Sequence, residues 1–506
     1  MSSNPSPRIL WASFRECSES DCACPDADGT WPELRWAKRV DMSEQDCACP
    51  DTGLSSSLPP IPQAALWRRP SGLYRTALPD QHEIAFAPTP TTHIAVLNAP
   101  ASRILDAFAV PCPPRRVAEA LPDLAPSDVV HTALQLARGG LLQSAQETPN
   151  PCFTPSHTLA AWIHVTDACN LRCSYCYVRK SGERMDEETG CAAVDGVFRS
   201  ALAGGFRAVK LKYAGGEPTL NWSLVRSLHR RAHLLADRHD LELREVVLSN
   251  GALLDDEMID WLRSEGVRLM ISLDGVGETH DAQRPFADGH GSFAQIAHNI
   301  DRALTHGLRP HLSITVTARN VDGLSDVVVF ALERDLLFNL NFVRQPGVEY
   351  CDDYIIAGVK AAFAVIEDRL PRRSLIGGLV DRSIFSAPHE HACGAGHNYL
   401  VIDSQGRVSR CQMTMGRPVT DVWTDDPLQA ARSQCDGFQN VSVDEKEGCR
   451  DCVWRYWCAG GCPLLAHRAA GRSDAPSPYC DVYKSLYPDL LRLEGLRLLK
   501  WQPSPP

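Results

Sequence analysis

The chain has no run of 18 apolar residues in its 506 positions, so no segment reads as a membrane-spanning helix, and no membrane partner is expected. It has no excess of basic residues: 51 Lys and Arg stand against 62 Asp and Glu, a net charge of −11. Binding to phosphate backbones needs a basic face, so nucleic acid is not expected as a partner. The N-terminus is polar and acidic and lacks the apolar core of a signal peptide, which points to a cytoplasmic protein. Cysteine, by contrast, is plentiful, at 20 residues. A cytosol keeps thiols reduced, so a disulfide framework is not the expected use of them. Metal or iron–sulfur ligation is. The length exceeds what one core holds, and about two to four domains are expected.

Residues 1–62 are rich in Ser, Pro, Asp and Cys and read as a disordered tail. Within it Ser18–Asp26 recurs as Ser43–Asp51 with one mismatch, each copy carrying Asp-Cys-Ala-Cys-Pro-Asp. Residues 63–150 read as a small domain. Glu83–Ala87 and His93–Leu97 are strand candidates around a Pro/Thr turn. Asn98 is placed to cap one helix with Ile104, Leu105 and Phe108 inside. Ser127 is placed to cap a second, with Val130, Leu134 and Leu136 inside and Gly139-Gly140 as its stop. This winged-helix-like pattern resembles the PqqD-like peptide-recognition domain (the RiPP recognition element), which implies a leader-peptide binder.

From 151 to 345 strand and helix patterns alternate. Strands are expected at Trp162–Thr166, Val209–Tyr213, Glu245–Leu248, Arg268–Leu273, His311–Val316 and Phe338–Val343. Helices are expected between them, as at Trp222–Arg238, Glu257–Ser264 and Phe293–Thr305. Strict alternation implies parallel strands with right-handed crossovers. The fold class is therefore α/β, a partial (β/α)6 barrel with reactive groups on the loops after the strands. Residues 346–392 read as a helical bridge, and 393–506 as a cysteine-rich domain ending in a packed helix with Leu486, Leu490, Leu491, Leu493, Leu496 and Leu499 inside.

Directly after the first strand comes Cys169-Asn-Leu-Arg-Cys173-Ser-Tyr175-Cys176. Three thiolates on one loop can hold three irons of a cubane, and no fourth cysteine lies within the loop, so one iron is left for substrate. This C-x3-C-x2-C spacing with an aromatic before the last Cys is the signature of the radical S-adenosylmethionine (radical SAM) family, which the chain resembles. Gly215-Gly216-Glu217-Pro218 ends the second strand and resembles the family's GGEP motif, implying contacts to the SAM ammonium. Glycine there permits close backbone approach to a ligand. Ser249-Asn250 ends the third strand and Ser272-Leu-Asp274 the fourth, and both resemble segments that reach the SAM ribose. Arg284 resembles the arginine near the SAM carboxylate. His164 and His280 flank this face and read as structural.

Seven further cysteines follow the pattern Cys393-x12-Gly406-x4-Cys411, Cys449-x2-Cys452-x5-Cys458-x3-Cys462 and Cys480. The pattern resembles the SPASM extension. By that resemblance Cys393, Cys411 and Cys462 ligate auxiliary cluster I, and Cys449, Cys452, Cys458 and Cys480 auxiliary cluster II. Cluster I is then one ligand short, with substrate thiolate, water, Cys351, Cys435 or His397 as candidates to fill it.

The resemblances imply three 4Fe–4S clusters, one of them binding SAM, and reductive SAM cleavage to a 5′-deoxyadenosyl radical. They also imply a precursor peptide or protein as substrate, cross-linked through a thioether or carbon–carbon bond, and a ferredoxin- or flavodoxin-type reducing partner. An anaerobic sulfatase-type formylglycine maturase is an alternative, but that family carries an Asp after the second SPASM cysteine, and here Gln412 follows Cys411. A small-molecule SPASM dehydrogenase has no use for a leader binder. An iron–sulfur redox carrier has no use for an intact GGEP.

Overall fold

The computed structural model describes residues 6–12, 65–87, 93–146, 153, 156–344, 352–385 and 388–501. The repeated Asp-Cys-Ala-Cys-Pro-Asp segments, Cys152 and Cys351 lie outside these residues.

Six strands form the expected barrel wall: Thr158–His164, Ala208–Ala214, Glu242–Ser249, Arg268–Ser272, His311–Val316 and Phe338–Phe342. Each is parallel to its neighbour, in chain order. The second is buried at all seven positions, as a strand covered on both faces must be. Helices Glu187–Ala203, Trp222–His239, Asp256–Ser264, Phe293–Thr305 and Leu324–Glu333 supply the crossovers. Asp186 and Asp255 cap two of them by accepting from Thr189 and Met258 N–H. All loops that leave the strands' C-terminal ends therefore share one face.

The first strand lies earlier than expected, at 158–164 rather than 162–166. Thr166 has already left the sheet, bridging to Arg184 and accepting the Gly216 N–H. Nor is the C-terminal region a detached domain. Tyr399–Ile402 adds to the barrel sheet, parallel to the first strand, and Arg407–Ser409 and Thr420–Asp421 continue it antiparallel. Arg199 and Ser200 of the first crossover helix clamp this extension, reaching Val422 O at 2.7 Å and Asp426 at 2.7 Å.

The N-terminal unit is larger than expected. Its antiparallel sheet has four strands, in the order Ile9–Trp11, Ala95–Leu97, Glu83–Phe86, Tyr74–Ala77. Within 1–62, read as a mostly disordered tail, Ile9–Trp11 is a strand, whose apolar side chains give that short piece a face to bury. Helices Ala99–Ala107, Pro114–Ala120 and Pro126–Arg138 cover one side. Asn98 caps the first by accepting from Ala101 N–H. Ser127 does not cap the third. Its N-cap is Ala125, because Pro126 at the first helical position already has helical φ.

The sheet's two faces follow the strand period of two. Ala85, Ala95 and Leu97 meet the three helices. Ile84, Phe86 and Val96 belong instead to the large central core, beside the C-terminal helix Cys480–Lys500. Gly495 of that helix permits the approach, since a Cβ there would lie 2.8 Å from Leu78 and 3.1 Å from Ile84. Phe86 also packs on Trp457, with centroids 5.0 Å apart. Among the described residues, no helix is long and apolar enough to cross a membrane.

Candidate functional site

The cysteine loop is held by backbone on two sides. From one side, Arg172 N–H donates to Pro285 O at 2.8 Å, Ser174 N–H to Gln283 O at 2.9 Å and Ala287 N–H to Asn170 O at 2.8 Å. From the other, Gly216 N–H donates to Thr166 O at 2.6 Å and Glu217 N–H to Ala168 O at 2.9 Å. A Cβ on Gly215 would sit 2.5 Å from Thr166 O, and one on Gly216 2.3 Å from Ala168 O. These glycines were read as giving a ligand close access to the backbone. What lies against them is the cysteine loop itself.

Cys169, Cys173 and Cys176 are brought together, each half-buried. Burial raises the Cys173 thiol, the Arg284 guanidinium lowers it, and the charges of Cys176, Asp274 and Cys169 raise it again, to a net rise. Arg284 thus supplies positive charge beside Cys173, and Lys180 beside Cys169.

Tyr175, Asp274 and Arg284 form one buried set. Tyr175 donates to Asp274 Oδ2 at 2.5 Å, Arg284 donates to the Tyr175 oxygen, and Arg284 Nη1 stands 3.5 Å from Asp274. Asp274 Oδ1 accepts from Thr315 N–H at 2.8 Å. Burial holds the Asp274 carboxyl above the usual range, although Arg284 and these bonds oppose it. The set is oriented by His280. Its Nδ1 accepts from Asp274 N–H at 3.2 Å, which leaves the proton on Nε2, 3.1 Å from Ser292 Oγ. Ser292 Oγ in turn donates to Arg284 O at 2.6 Å.

Burial, followed by the charge of Arg284, lowers the His280 pKa to about 3. Between about pH 6.5, the ordinary value, and that value, the unfolded chain binds a proton the folded chain does not. The stability tied to neutral His280 is therefore complete above about pH 6.5 and is lost as pH falls toward 3. His280→Gln keeps a donor and an acceptor but cannot titrate. Anaerobic thermal unfolding of the variant should lose less Tm between pH 8 and pH 5 than the parent does, and equal losses would contradict the account.

Glu217 is fully buried. Its Oε1 accepts from Thr219 N–H, Thr219 Oγ1 and Ser249 Oγ, and its Oε2 from Asn250 N–H at 2.7 Å. Glu217, Ser249 and Asn250 are therefore one bonded unit, and the Ser249 hydroxyl is engaged within the protein. Asn250 Nδ2 donates to Asn170 Oδ1 at 2.8 Å, tying that unit to the cysteine loop. Pro218 opens the short helical turn Pro218–Asn221. Ser272 is half-buried at its strand end, in register with Ser313.

The seven C-terminal cysteines separate into two groups. Cys411 is pushed up to about 12 by burial and by the neighbouring charges of Cys462 and Cys393. Cys449 is pushed up to about 12 by burial and Cys458, with Cys480 and Cys452 adding to it. A cavity lined by Cys449, Cys452, Cys458 and Cys480 lies between the Trp454 turn and the final helix. Of the candidates to complete the first group, Cys435 is exposed, and His397 Nε2 lies 2.9 Å from Asn440 O.

Two buried cations beside these thiols were not legible in the motifs. Lys446 is fully buried, with Nζ donating to Ala459 O at 2.8 Å. Burial lowers its pKa, while Cys449, Cys458, Cys393 and Cys462, drawn from both groups, pull it upward. Arg382, at a left-handed φ of 60°, lowers the Cys411 thiol.

The residues fit the groups they were matched to. Three thiols without a fourth in the loop suit a cubane with one open iron. Asn170 Nδ2, Gln283 Nε2 and Arg284 Nε are buried beside that loop without a protein hydrogen-bond partner, which leaves polar atoms for a ligand. Around the other two groups, Lys446 and Arg382 offset the negative charge that thiolate-ligated clusters carry.

Residues 163–327 match the model of the Radical SAM superfamily, so this part of the chain is a radical SAM domain, with a 4Fe–4S cluster and S-adenosylmethionine as its cofactors. The chain is similar to an uncharacterized protein of Archaeoglobus fulgidus, 25% identical over 356 residues, which are 64% of this chain and 79% of that one. It is similar to the GTP 3′,8-cyclase of Clostridium acetobutylicum, 26% identical over 185 residues, 36% of this chain and 54% of the enzyme. The chain thus spans about half the length of that relative. The solved structure of native anSMEcpe with bound AdoMet and Cp18Cys peptide shares its fold at 19% identity and a TM-score of 0.54, covering 67% of this chain and 99% of that one.

Proposed function

We propose that the protein uses radical SAM chemistry to modify a ribosomally made peptide or a protein, with two auxiliary clusters in its C-terminal region. The observation that carries the chemistry is the cysteine loop, clamped from both sides beside the buried Tyr175–Asp274–Arg284 set. When bound, the reduced cluster and SAM supply reductive bond cleavage and hydrogen-atom abstraction from an unactivated carbon. The chain's own residues do the rest. Arg284 brings positive charge to Cys173, and Lys180 to Cys169. The Glu217–Ser249–Asn250 unit fixes the loop that faces Cys169. Cys393, Cys411 and Cys462 hold the first auxiliary cluster, with one position left for substrate or solvent. Cys449, Cys452, Cys458 and Cys480 hold the second.

A peptide substrate is supported by the N-terminal unit of a sheet with three helices, which we read as the recognition element, and by a fold neighbour whose solved structure contains a bound peptide. The strand Tyr74–Ala77 is an edge. Leu78 N–H bonds to His82 O, so by alternation Arg75 and Ala77 turn their backbone groups away from the sheet, where a peptide strand can add. Removing the whole unit is a poor test, because Ile84, Phe86 and Val96 are part of the central core. Ala77→Pro removes one outward N–H and leaves the inner ladder intact. It should weaken peptide binding about tenfold or more without slowing SAM cleavage, read by fluorescence anisotropy and by deoxyadenosine formation. The peptide used is a Cys- or aromatic-rich one encoded beside the gene, and wild-type affinity in the variant would reject this edge.

Formylglycine formation is disfavoured. Gln412, a neutral amide that accepts from Tyr399 OH at 3.3 Å, stands where that chemistry needs a carboxylate base.

A further inference from the structure

Among the described residues, one group of metal-type side chains contains no cysteine. Helix Trp222–His239 presents His229 and His233 one turn apart on the same face. The chain then reverses at Asp240, φ 52°, into strand Glu242–Ser249, which carries Glu245 back under both rings. His229 Nδ1 lies 2.8 Å and His233 Nε2 3.1 Å from the same carboxylate oxygen, Glu245 Oε2. The imidazole centroids are 4.3 Å apart. Three ligand atoms, one from each residue, lie within 4.8 Å of one another.

We propose that His229, His233 and Glu245 bind one zinc ion that ties helix Trp222–His239 to strand Glu242–Ser249. Tetrahedral zinc with bonds of about 2.0–2.2 Å separates its ligand atoms by about 3.4 Å. The two nitrogen–oxygen spacings, 2.8 and 3.1 Å, need to open by about 0.6 and 0.3 Å. Two imidazoles and a carboxylate suit zinc rather than a hard cation such as magnesium.

The supporting shell is already built. The other nitrogen of His229, Nε2, lies 3.3 Å from Glu265 Oε2, the carboxylate–histidine arrangement that fixes a ligating ring. The other oxygen of Glu245, Oε1, accepts from the buried Tyr213 hydroxyl at 2.5 Å. His229 and Glu245 are enclosed, at 6% and 4% side-chain exposure, whereas His233 is 47% exposed. The ion therefore has an approach from solvent on the His233 side. Glu245 precedes Ser249 by four residues of strand, about 13 Å, so the site is set back from the catalytic loops.

The test uses the full chain, reconstituted anaerobically with iron and sulfide so that the cysteine sites are filled, then equilibrated with Zn2+ and desalted. Wild type should retain one zinc per chain by mass spectrometry. Zinc-edge X-ray absorption should show only nitrogen and oxygen at about 2.0 Å and no sulfur at about 2.3 Å. His233→Ala, at the exposed ligand, should lose that zinc while keeping its iron content and SAM cleavage. Glu265→Gln should weaken zinc binding about tenfold or more. Zinc should raise the Tm of the wild type and not of His233→Ala. Retention of the same zinc by His233→Ala, sulfur in the zinc shell, or no zinc bound by wild type would each overturn the proposal.

Discussion

Replacing Cys169, Cys173 and Cys176 together by alanine is expected to remove about four of roughly twelve irons per chain and to abolish deoxyadenosine formation. Three cubanes account for the larger number. The loss should be confined to one cluster, because the thiols of each of the other two groups couple within their own group. The variant should still fold. The loop's clamps run through backbone atoms of Asn170, Arg172, Ser174 and Ala287, which alanine at the three cysteines does not remove. Iron analysis, the electronic absorption near 400 nm and deoxyadenosine assays on one reconstituted batch check the prediction together. Undiminished deoxyadenosine in the triple variant would sink the assignment of the loop.

The same coupling pattern bears on the C-terminal region. Lys446 feels Cys449 and Cys458 on one side and Cys393 and Cys462 on the other, so it lies between the two thiol groups. Its methylenes pack where a side chain on Gly460 would be, with Cδ 2.6 Å from that Cβ position. A buried ammonium is costly unless anions face it, and the seven thiolates of the proposed auxiliary clusters would supply them. Stability of this region is accordingly linked to cluster loading.

What the sequence made legible was mostly local. Ligation chemistry is written in spacing, so the cysteine loop stood out from its gaps, and the C-terminal thiols could be grouped through the SPASM pattern that their gaps resemble. The helix at Phe293–Thr305 was legible because its apolar positions keep a 3.6-residue period. The strand Ala208–Ala214 was legible because a strand covered on both faces is a short, largely apolar run. What was missed depends on partners far away in the chain. Tyr399–Ile402 joins the barrel sheet beside a strand some 240 residues earlier, and nothing in Tyr-Leu-Val-Ile says which edge it seeks. Ile9–Trp11 is three residues inside a polar tail, and only its pairing with Ala95–Leu97 makes it a strand. Lys446 is a single cation three residues before Cys449, and its burial comes from loops folding over it. The Gly215-Gly216 pair was legible, but not the cysteine-loop backbone that lies against it. Sequence shows that a side chain is absent and not what occupies the space.

Gly216→Ala should therefore disable the enzyme almost as fully as loss of the cysteines, although the residue ligates nothing. The added methyl would fall 2.3 Å from Ala168 O, 2.6 Å from Asp167 O and 2.7 Å from Ala168 C. All three are backbone atoms, so no side chain can swing aside. To reach an ordinary contact of about 3.3 Å the loop must retreat by about 1 Å, and Ala168 is bonded directly to Cys169. The retreat also breaks the Gly216 N–H bond to Thr166 O and the Glu217 N–H bond to Ala168 O. A displacement of about 1 Å at a positioned reacting group costs about 100-fold, and overpacking of this kind destabilises by about 1–3 kcal/mol. Deoxyadenosine formation should fall about 100-fold or more, with partial loss of iron from this cluster alone and a lower Tm. Gly182→Ala is the control, since a Cβ there meets nothing within 4 Å. It lies in the segment just after the same loop and should leave iron, Tm and turnover unchanged. Wild-type turnover in Gly216→Ala would show that the loop can yield, and that the glycine pair is not what holds Cys169 in place.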